Sequence, residues 1–250
     1  MTKTKAQQIM AATEARAADD VTAAIRDIAT EFEPYIIKQR RHFHKHPELS
    51  LAEERTTSDI ANQLDAMNIP YERPLKTGLV ATLRGTAPDA YREDGTPRRR
   101  ILLRADIDAL PVTEQTGEEF ASVNEGCMHA CGHDCHIAMM LGTLQILRHM
   151  TDDIHGEVRI FQPSEENGQG AKLMIGTGVL DGVDGAYAAH IWSEVDAGTV
   201  SCEPGPRMAN TDWFRIDVRG TSCHGAMPQR GHDAVMVAAA IGNALPTLVA

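Results

Sequence analysis

The 250-residue sequence is poor in aromatic side chains, at 4 %, so any core it builds must be largely aliphatic. It also lacks most of the features that sort a chain quickly. No window approaches the roughly 20 apolar residues that a membrane-spanning helix needs, so no membrane association is expected. The opening MTKTKAQQIMAATEARAADDV has no apolar stretch and carries acids from Glu14 onward, which does not read as a secretory signal. There is no basic stripe. The net charge is −11, which argues against nucleic acid as a partner. The short run Arg98-Arg99-Arg100 follows Gly95 and Pro97 and reads as a solvated loop end. No repeat or low-complexity tract is visible. Cysteines are few and odd in number, at 127, 131, 135, 202 and 223. Without a secretory signal they imply a reducing, cytoplasmic setting. There a cluster of Cys and His points to metal or catalysis more often than to a disulfide.

Apolar residues make up 42 % of the chain, enough for one large domain or two smaller ones. Residues 1–20 read as a mobile tail. Residues 20–46 read as helical, with Pro34 restarting the helix. Ser50 and Glu53 have the spacing of a capping box, and Ile60, Leu64 and Met67 mark one apolar helix face. Residues 78–85, 100–110, 156–166 and 182–192 read as strands. Residues 137–150 and 171–180 read as helices between them, with Met139 and Met140 in the core. This alternation predicts an α/β fold: a mixed-sheet domain flanked by helices, over residues 21–209. From residue 210 the texture changes. WFRIDVRG alternates as a half-buried strand, and an Ala-rich helix starts near Asp233 and is still running at Ala250 without a C-cap. Residues 210–250 thus read as the start of a smaller α+β unit, cut short.

The densest chemistry lies in CMHACGHDCH, residues 127–136. On one continuous helix, Cys131 and His133 would point roughly opposite ways. Gly132 argues for a sharp turn instead, which lets the two converge just before a helix that Asp134 could cap. Two ligands do not complete a catalytic metal site. The next candidates are Glu165 and Glu166 in FQPSEENG, at the end of an expected strand, and His190 at the end of AYAAHIW. Adjacent carboxylates suit divided labour: one holds a metal, and the other takes a proton from an activated water. His42, His44 and His46 look like a metal comb. On a helix they do not share a face and read as packing or surface residues. Cys127 and Cys135 read as packing residues, and His129 and His136 as structural residues or as supports behind the ligands.

The segments RHFHKHPELS, LLRADIDALP, MHACGHDCH, FQPSEENGQGA, AAHIW and GTSCHGAMPQRGHDAV resemble, in order, the aminoacylase/carboxypeptidase-type dinuclear metallohydrolases. The likeness is to their amidohydrolase branch, which holds hippurate hydrolase, N-acetyl-diaminopimelate deacetylase and the plant indole-acetyl-amino-acid hydrolases. The resemblance implies that Cys131, His133, Glu166 and His190 are metal ligands and that Glu165 is the general base. It implies a supporting catalytic role for Asp108, and contact of His224 with the substrate carboxylate or oxyanion. It further implies two divalent ions per subunit (zinc, manganese or cobalt), hydrolysis of the amide bond of a small N-acyl amino acid, and a homodimer or homotetramer formed through the lid domain. A last ligand, a histidine beyond residue 250, is expected to be missing. Ser193, Ser222-Cys223 and Gln229 depart from the pattern and leave specificity open. Two rival readings remain at this point: a thiol hydrolase with Cys131 as nucleophile, and a non-catalytic chain, either a closed structural zinc site or an inactive fragment.

Overall fold

A computed structural model describes residues 5–209 and 214–248. The described chain falls into two compact units, residues 1–198 and 199–250, whereas the sequence suggested a boundary at 209 and 210.

The first unit is built on one five-stranded sheet. The strands are β1 (Tyr71–Glu72), β2 (Val80–Arg84), β3 (Arg100–Asp106), β4 (Glu157–Gln162) and β5 (Gly185–Ala188), in spatial order β1-β2-β4-β3-β5. β3 runs parallel to both β4 and β5, while β2 is antiparallel to β4. The three parallel strands therefore end on one edge, which is where open α/β sheets place their sites.

The helices are α1 (Lys5–Lys45), α2 (Glu54–Met67), α3 (His133–Arg148) and α4 (Gly170–Gly176). Alternation along the strands separates two layers. Ala81, Leu83 and Leu103 join Phe43, Ile60, Leu64, Ile137 and Leu141 in the main core under α1, α2 and α3. Val80 and Leu102 face the other way, toward Met174 of α4. Ile60 and Leu64 are fully buried, as their spacing predicts, and each contributes about 1.5–3 kcal/mol by leaving water. Met139, in contrast, is exposed, while Met140 packs on the core.

Several local expectations are overturned. α1 does not restart at Pro34. The proline is exposed, so the carbonyl it leaves unpaired one turn back faces water rather than the core. Helix α1 also takes in residues 5–20, which read as a tail. The capping box does not form. Instead Glu48 receives the Thr56 N–H and hydroxyl and the Arg55 N–H, while Ser50 and Glu53 point elsewhere. Asp134 does not cap α3 either. Its carboxylate accepts from His44 Nδ1 at 2.8 Å and from Arg40 Nε at 2.9 Å.

In the second unit, residues 214–220 form no strand, and Phe214 and Ile216 are exposed. A strand needs a partner for its backbone groups, and among the described residues the only pairing there is the bridge Thr221–His232. Trp213 lies outside the described residues. Helix α5 (Ala234–Ala244) is capped by Asp233 Oδ1, which accepts the N–H groups of Val235 and Met236. A short 3-10 turn follows over Leu245–Leu248, and residues 249–250 lie outside the described set.

Candidate metal centre

The candidate ligands come from three strand ends and one helix start. Gly132 lies between Cys131 and α3 with φ +84°, in the left-handed region. A Cβ there would stand 2.2 Å from Ile191 Cδ1, so both the turn and the close approach of the 190–192 loop require glycine. The turn brings the Cys131 Sγ, a His133 ring nitrogen and a His190 ring nitrogen within 4.8 Å of one another. His133 also lies within that distance of Glu165 and Glu166, and of Asp106 and His136. His133 is thus the hub of the cluster.

Hydrogen bonds fix which nitrogen of each histidine is free. His133 Nδ1 donates to the Asp108 carbonyl at 2.9 Å. His190 Nδ1 donates to the Ile191 carbonyl at 2.6 Å. With Nδ1 engaged in this way, each ring turns its Nε2 toward the cluster, as a metal-ligating histidine anchored by its other nitrogen does. His190 Nε2 stands 3.4 Å from Cys131 Sγ. His133 Nε2 lies 3.6 Å from Asp106 Oδ2, 3.8 Å from Glu165 Oε2 and 3.7 Å from Glu166 Oε1. His133 Nε2 and Glu166 Oε1 are buried with no hydrogen-bond partner. Buried acceptors crowded together in this way are costly unless a cation satisfies them. The donor set of thiol, imidazole and carboxylate suits a borderline-soft divalent ion.

Electrostatics point the same way. The Cys131 thiol is pushed up to about 12, first by burial and then by the carboxylates of Glu166 and Glu165. Burial also raises the Glu166 carboxyl, and the charges of Glu165 and Asp108 add to that effect. For His133, burial works against protonation, but the bond to Asp108 and the charges of Asp106, Asp108 and Glu166 outweigh it and raise its pKa. Negative charge thus accumulates around the cluster, with one guanidinium beside it: Arg104 lies 2.9 Å from Asp106 Oδ2 and 3.9 Å from Glu165 Oε1.

Asp108 is fully buried and does not face the open side. Its carboxylate accepts from Ser50 Oγ at 2.6 Å and from the Glu165 and Glu166 N–H groups at 3.0 Å each. Burial alone would raise its carboxyl, but the bonds from His133, Ser50 and the two amides hold it well below the usual carboxylate range. Asp106 had not been singled out from the sequence as a site residue, and His136 only as a structural or supporting one. His136 Nδ1 meets Asp106 Oδ1 at 2.5 Å, and its Nε2 accepts the Ile191 N–H at 3.1 Å. The pair thereby steadies the backbone next to His190. Their spacings held the signal: Asp106 is two residues before Asp108 on a strand, and His136 is one helical turn after His133. His224 belongs to the second unit, where it is exposed and its Nδ1 accepts the Ala226 N–H at 3.1 Å. A cavity of about 640 Å³ beside Cys131 is walled by Phe120, Met128, His129, Ile191 and Trp192 among others.

An α/β sheet with Cys, His and carboxylate donors gathered at the ends of its parallel strands defines a metal-binding domain. The family model for peptidase family M20/M25/M40 matches residues 102–245, and the chain belongs to that family. The chain is 41 % identical to the N-acyl-L-amino acid amidohydrolase of Geobacillus stearothermophilus, over 90 % of its own length and 59 % of the relative's. It is 42 % identical to the N-acetyl-L-cysteine deacetylase of Bacillus subtilis, over 87 % of its length and 50 % of the relative's. Among solved structures it is similar to the Bacillus subtilis YXEP protein, described as a dinuclear metal binding peptidase of the M20 family. There the TM-score is 0.65 at 39 % identity, covering 71 % of this chain and 48 % of the other. A putative aminohydrolase from methicillin-resistant Staphylococcus aureus matches with TM-score 0.70 at 35 % identity, over 90 % of this chain and 58 % of the other. The chain spans between half and three-fifths of the length of these curated relatives.

Proposed function

We propose that this chain carries the hydrolytic centre of an N-acyl-amino-acid amidohydrolase, which cleaves the amide bond to release a carboxylic acid and a free amino acid. The observation that carries the reading is the pair Glu165 and Glu166, both within 3.8 Å of the free Nε2 of a buried histidine that also belongs to a Cys131–His190 group. A purely structural metal site has no use for the second carboxylate. Cys131, His133, Glu166 and His190 would hold two divalent ions (zinc, manganese or cobalt). Such ions, when bound, acidify water and polarise an amide carbonyl. Glu165 takes the proton from the attacking water and delivers it to the departing nitrogen. Its carboxylate is held for this by its own backbone N–H on Asp108, which makes Asp108 a positioning residue. His224 is assigned to the substrate carboxylate or the developing oxyanion; support for that role comes from the motif GTSCHGAMP.

The names of the relatives support the substrate class. Five free cysteines support a reducing compartment such as the cytoplasm. Association through residues 210–250 is supported by the exposed Val235, Met236 and Val237 of α5. The thiol-hydrolase alternative is disfavoured, because a thiol whose pKa is pushed up to about 12 is almost wholly protonated at neutral pH.

The test combines metal content by mass spectrometry with hydrolysis of N-acetyl and N-benzoyl amino acids. Wild type is expected to hold one to two metal equivalents. Cys131→Ser and Glu166→Ala should lose metal, and Glu165→Gln should keep it while losing turnover. Activity that survives chelation but falls to iodoacetamide would overturn the reading.

A further inference from the structure

The turn that carries Glu165 and Glu166 is held from behind by two buried carboxylates. Three successive backbone N–H groups are captured: Ser164 by Glu53 Oε1 at 2.8 Å, Glu165 by Asp108 Oδ1 at 3.0 Å, and Glu166 by Asp108 Oδ2 at 3.0 Å. Glu53 is 0 % exposed, and so is Ser164. Ser164 has φ +54°, a left-handed conformation that residues other than glycine and asparagine rarely adopt. It persists only where the surroundings impose it.

The surroundings come from the start of α2. Glu53 occupies the N-cap position but makes no side-chain cap, so its carboxylate is free to reach Ser164. One turn on, Thr57 Oγ1 accepts the Gly78 N–H at 2.8 Å. Gly78 in turn lies against Pro163: a Cβ there would stand 2.4 Å from Pro163 Cδ. Both residues ahead of the glutamate pair, Pro163 and Ser164, are thus seated on a platform that belongs to another element.

We propose that Glu53 is a positioning residue for the Glu165–Glu166 pair: by accepting the Ser164 N–H it holds Ser164 left-handed and so sets the direction in which both carboxylates leave the turn. The proposal rests on the reading of Glu166 as a ligand and Glu165 as the base. Glu53 acts as a hydrogen-bond acceptor. Burial pushes its carboxyl pKa up, so an uncharged acceptor of the same shape serves in its place.

The test compares wild type, Glu53→Ala, Glu53→Gln, Ser164→Gly and the double variant Glu53→Ala/Ser164→Gly. All are full chains, checked for cooperative unfolding. Each is titrated with zinc against a chromophoric chelator, and exchange of the 163–167 amides is followed by mass spectrometry. Glu53→Ala is expected to weaken zinc binding about 10–100-fold, the range for losing a group that orients a ligand, with Glu53→Gln within about threefold of wild type. In the Ser164→Gly background the loss caused by Glu53→Ala should shrink to a few-fold, because glycine takes positive φ without help. A general packing defect would not respond to residue 164. Where Glu53→Ala does not unfold cooperatively, Glu53→Asp, shorter by one methylene, replaces it with the same expectations.

Three results overturn the proposal: zinc binding in Glu53→Ala equal to wild type, Glu53→Gln as weak as Glu53→Ala, or a loss of unchanged size with glycine at 164. Should wild type itself bind no zinc, the metal-centre reading fails instead. Glu53 is then judged by amide exchange, which must rise at 164–166 in Glu53→Ala and not in Glu53→Gln; flat exchange sinks it.

Discussion

Replacing Asp108 by Asn alters one atom of a buried carboxylate that meets four partners. One oxygen receives the Glu165 N–H and lies 3.3 Å from His133 Nδ1; the other receives the Glu166 N–H and the Ser50 hydroxyl. An amide can present only one of those oxygens. Its NH₂ group must face either the Glu165 N–H and His133, or the Glu166 N–H and Ser50. The serine hydroxyl can turn and accept, but a backbone N–H cannot. One buried donor is orphaned in either orientation, at about 1–3 kcal/mol, and the surviving bonds lose their charge assistance. The expected destabilisation is about 2–4 kcal/mol, or roughly 5–15 °C in Tm for a unit of this size. Thermal and urea unfolding followed by circular dichroism measure it. The pH dependence supplies an internal check. The folded-state pKa of Asp108 is depressed, so its contribution is complete above the ordinary value of 3.8 and is lost as pH falls through the folded value. The gap between wild type and Asp108→Asn should therefore be widest near neutrality and close in acid. A variant within about 0.5 kcal/mol of wild type at pH 7 would refute the account of Asp108 as the anchor of the turn, since that is the scatter of ordinary surface substitutions.

Other expectations follow from the same geometry. Glu165→Gln should retain metal and lose about 10²–10⁴-fold in kcat, the usual weight of a general base; metal analysis beside steady-state kinetics decides it. Zinc affinity should rise with pH between 6 and 8 by about tenfold per unit for each proton released, because a Cys131 thiol pushed up to about 12 must give up its proton on binding. A pH-independent affinity would remove Cys131 from the ligand set. His44 sits between Asp134 and Glu114, and its pKa is raised chiefly by the Asp134 hydrogen bond. Its contribution to stability is whole below the ordinary 6.5 and fades as pH rises through the raised folded value, so His44→Gln should flatten the alkaline side of the stability–pH curve. Gly132→Ala should cost about 1–3 kcal/mol from positive φ plus the clash with Ile191, and should reduce metal binding with it.

Much of the site was legible in the chain because its chemistry is carried by residue types at short spacings. Cys131, Gly132 and His133 announce a tight turn that brings a thiol and an imidazole together, and Glu165-Glu166 announces a paired carboxylate, whatever surrounds them. The apolar period of Ile60, Leu64 and Met67 likewise fixed a helix face, and the alternation of strands and helices fixed an α/β layer. Where local signals misled, a distant partner had claimed the side chain. Ser50 and Glu53 have capping-box spacing, yet Ser50 binds Asp108 and Glu53 binds Ser164, 111 positions away. Asp134 could have capped its own helix, but His44 and Arg40 of α1 hold it. Residues 214–220 alternate as a strand should, but a strand also needs a neighbour. Asp106 and His136 joined the cluster only because β3 and α3 meet at the strand ends. Sequence thus determined which groups are available and how each short segment prefers to bend. The tertiary structure decided which buried donor each carboxylate satisfies, since an unpaired polar group in the interior costs more than any cap returns.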